Sequence, residues 1–69
     1  MVVKIKYPCN WEEFDVEVAK VKEAFRRGDA VQNDRCLIDF VNKQEDIAKR
    51  TREIKQIERV KQAWGKLIY

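Results

Sequence analysis

The sequence predicts a mainly α-helical small domain that opens with one short strand and continues with two or three helices, as a helical hairpin or small bundle. Three observations carry that expectation. Residues 2–7 alternate between two faces, Asn10-Trp11-Glu12-Glu13 has the form of a capping box, and the chain from Asp29 to Trp64 holds neither glycine nor proline. With 69 residues, 45% of them apolar, there is room for a single domain (1–69) and one hydrophobic core.

In the first element Val3, Ile5 and Tyr7 share one face and Val2, Lys4 and Lys6 the other, a strand pattern that stops at Pro8. The helix that follows is punctuated at both ends. At its start the Asn10 side chain is placed to accept from the amide of residue 13 while Glu13 reaches back, and Cys9 with Phe14 has the spacing of a hydrophobic staple. At its end Arg26 and Arg27 suit the negative end of the helix dipole, and Gly28 suits the left-handed residue that closes a helix. Between these signals Trp11, Phe14, Val18, Val21 and Phe25 fall within an arc of about 80°, a narrow seam that calls for a helical partner. Glu17, Lys20, Glu23 and Arg27 supply opposite charges on its flank.

The long breaker-free run cannot be one straight helix. Taking Ala30 as zero and about 100° per residue, Val31, Leu37, Ile38 and Val41 centre near about 30°, whereas Ile54, Ile57, Val60, Trp64 and Ile68 centre near about 170°. A break near Asn42, where Asn42-Lys43-Gln44-Glu45 offers a second capping box, reconciles the phases. The segment before it has two readings. Asp29-Ala30-Val31-Gln32 fits a helix start, which is the favoured reading, while Arg35 to Val41 has the β-branched and aromatic content of a buried strand. The last helix is expected over about residues 43–64, ending at Gly65. The first strand needs a partner for its backbone groups. An α+β alternative therefore pairs it with residues 35–41 or with residues 66–69, and a third option pairs it with the same strand of a second copy.

Composition narrows the chemistry. There is no histidine, and Cys9 and Cys36 form no metal-binding or redox spacing, so no metal site, cofactor or small-molecule substrate is expected. Adjacent carboxylates at Glu12/Glu13 and Glu45/Asp46 point about 100° apart on a helix rather than into a shared site. Glycine-rich phosphate loops and nucleophile elbows are absent, and the protein is read as non-enzymatic. A packing role is expected of Cys9. No apolar run is long enough to span a membrane and the amino terminus has no leader-like apolar region, so the expected location is the cytoplasm.

Two surfaces remain as functional candidates. Residues 1–34 carry six cations and seven anions and residues 35–69 nine and five, so the excess positive charge lies in the second half. There Arg52, Lys55, Arg59 and Lys66, extended by Lys49, form a basic stripe spaced to follow a phosphate backbone. The second candidate is apolar: Trp11, Phe14, Val18, Val21 and Phe25 on one helix and Ile57, Val60 and Trp64 on another are more surface than one helical pair can cover. The expectation is an interaction module (an adaptor, regulator or inhibitor) with a protein partner, completed by homodimerisation. Nucleic-acid binding through the basic stripe is the alternative.

Overall fold

In the computed structural model, which describes residues 1–67, the chain runs β1 (Val2–Lys4), α1 (Trp11–Arg27), β2 (Ala30–Gln32), α2 (Arg35–Thr51) and α3 (Ile54–Lys66). The mainly helical fold with a short first strand is the one the sequence predicts. The first helix also has the expected ends. The Asn10 side chain accepts from the Glu13 amide at 2.9 Å, and Gly28 closes the helix at φ 78° with its amide directed to the carbonyls of Ala24 and Phe25.

The staple is different. Cys9 is exposed and does not pack as a staple, the buried residue before the cap is Pro8, and the buried thiol is Cys36.

The partner of β1 is neither residues 35–41 nor the tail. It is β2, in parallel register with Val2 opposite Ala30, Val3 opposite Val31 and Lys4 opposite Gln32. Residues 30–32, within the stretch read above as a helix start, are thus a strand. The strand stops where Asn33 turns to φ 64° and its side-chain amide donates to the Ile5 carbonyl at 2.9 Å, tying the end of β2 to the end of β1. Arg35 to Val41 belong to α2, in line with the favoured helical reading. Of the tail, Lys66 ends α3 and Leu67 caps it, packed against the core; Ile68 and Tyr69 lie outside the described residues.

The break in the long run falls ten residues beyond Asn42. α2 continues to Thr51, and the chain reverses at Arg52, which adopts a left-handed conformation (φ 55°) and donates its amide to Ala48 at 2.8 Å, followed by extended Glu53. The buried stripe Leu37, Phe40, Val41 is prolonged by Ala48 about two turns further along, which keeps α2 on the core through its polar second half.

One cluster unites the three helices with the chain after β1: Ile5 from that chain, Phe14, Val18 and Val21 from α1, Cys36, Leu37, Phe40, Val41 and Ala48 from α2, and Val60 and Ala63 from α3, with Val3 of β1 and Val31 of β2 packed against it. Its centre is aromatic. Phe14 and Phe40 stack with centroids 5.6 Å apart, and Trp11 meets both edge-on at 5.4 and 5.1 Å.

Candidate interaction site

The backbone of β1 decides which of its edges is open. The Ile5 amide donates to the Gln32 carbonyl at 3.0 Å and the Ile5 carbonyl accepts from Asn33, so residue 5 faces β2 with both groups. Backbone groups alternate in direction along a strand, so those of Val2 and Lys4 point to the opposite edge. Among the described residues no strand pairs with that edge, and over the face that β1 presents through Val3 lies a groove of about 530 Å3 shared with one flank of α1, walled by Val3, Val16, Ala19 and Ala24 and rimmed by Lys20, Glu23, Arg27 and Asp29. Val16 in its wall and Val2 in β1 are more than half exposed, at 54% and 56%. An unpaired strand edge next to an apolar floor is suited to accepting a further strand.

A second, smaller groove of about 370 Å3 runs between α2 and α3 over Ala48, Ile57, Val60 and Trp64. Its rim is already knit together. The Trp64 indole donates to Glu45 Oε2 at 3.1 Å, and Lys49 pairs with Glu45 Oε1 at 3.3 Å.

The candidate apolar residues divide between core and surface. Phe14, Val18, Val21 and Val60 are buried, Trp11, Ile57 and Trp64 are partly buried against the same core, and Phe25 is half exposed. The seam of α1 is rotated from the expected one, with Glu17 and Ala24 on the inner face in place of Phe25. Glu17 is 2% exposed, and the Lys20 ammonium lies 3.4 Å from its Oε1 and 3.3 Å from its Oε2. Its position between Phe14 and Val21 on the helix turn was the available signal.

The basic stripe is divided. Lys49 lies on α2, Arg52 in the turn, and Lys55, Arg59 and Lys66 on α3. Arg59 and Lys66 both converge on Asp15 of α1, at 2.9 Å each, and Arg59 also lies 5.3 Å above the Trp11 ring. Partial burial pushes the Asp15 carboxyl up, but the hydrogen bonds and charges of Lys66 and Arg59 outweigh it and hold it below its ordinary 3.8. Arg52 and Lys55 are exposed and have no ion pair among the described residues.

The two thiols are free and differ in setting. Burial, reinforced by the nearby Glu17 carboxylate, pushes the Cys36 thiol up, which keeps it protonated, and its Sγ lies 3.9 Å from the Ile5 carbonyl. Cys9 is exposed. Among the described residues no group of three or more acidic or cysteine side chains is arranged to hold a metal ion, and no helix is long and apolar enough to cross a membrane.

No family model, curated protein or solved structure matches the chain, so the functional reading rests on its own surfaces.

Proposed function

We propose that the protein is a small non-enzymatic interaction module, an adaptor, regulator or inhibitor, that works through the free edge of β1 and the adjoining groove on α1. The observation that supports this reading is the coincidence of outward-facing Val2 and Lys4 backbone groups with an open groove whose walls are Val3, Val16, Ala19 and Ala24. Two free thiols, one of them exposed, suit the reducing cytoplasm. Nucleic-acid binding is the weaker reading, because Asp15 and Glu45 engage Arg59, Lys66 and Lys49 and leave Arg52 and Lys55 as the free cations of the stripe.

The test is affinity capture from native lysate with the wild-type chain and with Val16→Glu, a substitution at an exposed position. A partner retained by the wild type and lost with Val16→Glu is the expected result, and a second, differently tagged copy of this chain counts as one. Partners captured equally by both proteins would reject the groove. Recovery abolished by nuclease and by Arg52→Glu with Lys55→Glu would transfer the function to nucleic acid.

A further inference from the structure

We propose that the occupant of this groove is a second copy of the chain, joined through β1 in antiparallel register centred on Val3. The result is a four-stranded sheet with β1 strands at its middle and β2 strands at its edges, backed by an antiparallel pair of α1 helices. The proposal rests on the reading of the β1 edge as the working surface and names what binds there.

The register follows from the backbone. Val2 and Lys4 present the outward amides and carbonyls, and a two-fold axis at Val3 sets Val2 of each protomer opposite Lys4 of the other. Each such pair exchanges two hydrogen bonds, and Val3 meets its symmetry mate in the close, non-hydrogen-bonded position between them. Centring on Lys4 would set two lysines directly opposite each other, and centring on Val2 would leave a single bonded pair within β1. At Val3 the Lys4 stem instead lies beside the exposed Val2 of the partner.

The helices fit the same axis. α1 packs across both β1 and β2. With strands spaced about 4.8 Å apart, a four-stranded sheet centred between the two β1 strands holds the α1 axes about two strand spacings, or roughly 10 Å, apart, which is the distance of directly packed helices. The flank of α1 that would line this contact bears Glu12, Val16, Glu23 and Arg27, within an arc of about 60°. On this flank the amino end bears Glu12 and the carboxyl end Arg27, which Glu23 holds from the preceding turn at 3.1 Å. An antiparallel pair therefore sets Glu12 of each helix beside Arg27 of the other. The midpoint between Glu12 and Arg27 falls between Ala19 and Lys20, which border the groove together with Val3, so strand and helix pairing share one axis. Ala19 is small enough for close approach there, and the Lys20 ammonium is held aside by Glu17.

Sedimentation across a wide concentration range tests the self-association, with circular dichroism confirming that each variant is folded. The wild type is expected at twice the chain mass. Lys4→Pro removes an amide that β2 does not use, so it leaves the protomer folded while weakening dimerisation by at least about tenfold, the effect of losing two edge hydrogen bonds. In a Cys9→Ser background, Val3→Cys is expected to form a covalent dimer on mild oxidation, and Lys6→Cys is not. A wild type that remains monomeric overturns the proposal, and if Val16→Glu still loses a lysate partner the interaction reading survives without it. A dimer indifferent to Lys4→Pro, or one in which Val3→Cys fails to cross-link, overturns the β1 seam.

Discussion

The β1-α1-β2 half and the α2–α3 hairpin are built on the same core but terminated by different means. In the first half, α1 begins at a side-chain cap on Asn10 and ends at a left-handed glycine. In the second, neither Asp34 nor Glu53 makes a side-chain cap bond, and the reversal places an arginine, not a glycine, at positive φ. Local chemistry alone sets the limits of α1. The limits of α2 and α3 are held by what their inner faces touch, namely Leu37, Phe40, Val41, Ala48, Val60 and Ala63. Charge shows the same contrast. The basic second half is anchored to the near-neutral first half through one carboxylate, Asp15, which receives both Arg59 and Lys66.

If the hairpin depends on the first half for its order, the largest effect comes from the aromatic centre they share. Phe14→Ala is expected to cost about 3–5 kcal/mol, enough to unfold a domain of this size, and to remove amide hydrogen-exchange protection from α1 and α3 together. Loss confined to α1 would show that the hairpin stands by itself.

The helix ends predict a smaller effect of opposite sign in the two halves. Gly28→Ala is expected to lower the urea-unfolding free energy by about 1 kcal/mol, because a side chain is forced into the left-handed region. A Cβ at Gly28 meets nothing within 4 Å, so that cost is conformational and not steric crowding by neighbours. Arg52→Gly is expected to raise stability by about 1 kcal/mol for the converse reason. Equal signs would mean that the α2–α3 turn is held by contacts of the Arg52 side chain.

The smallest effect is electrostatic. Because the folded-state pKa of Asp15 is depressed, its contribution is present above the ordinary carboxylate value of 3.8 and is lost as the pH falls through the lower folded value. Asp15→Asn should thus lower stability at neutral pH by less than about 1 kcal/mol, since the pair is partly exposed, and the difference from wild type should vanish in acid. A difference that persists below the folded pKa would assign Asp15 a packing role instead.

Much of the first half was legible residue by residue. The strand at Val3 and Ile5, the cap at Asn10 and the stop at Gly28 are each written within a few neighbouring residues, where backbone preference and side-chain hydrogen bonds act. β2 was not legible, because Ala30-Val31-Gln32 becomes a strand only by pairing with β1, and Asn33 is tied to Ile5 across 28 residues. The change of phase between Val41 and Ile54 required a break, but nothing local marked Arg52 as its place. Of the candidate site, the apolar seam was seen in outline, whereas Val16 and Ala19 belong to it only because α1 lies across the two strands and leaves that flank beside an open edge. Glu17, a charged residue on the inner face, hid the true rotation of the seam.

By itself, then, the order of residues determined the helical character, the limits of α1 and the need for a reversal after Val41, since these follow from periodicity and from caps that act within one helical turn. The tertiary structure decided the partner of β1, the place of the reversal, and the union of Arg59 and Lys66 on Asp15. These depend on contacts between residues distant in sequence, whose energies exist only once the core has brought them together.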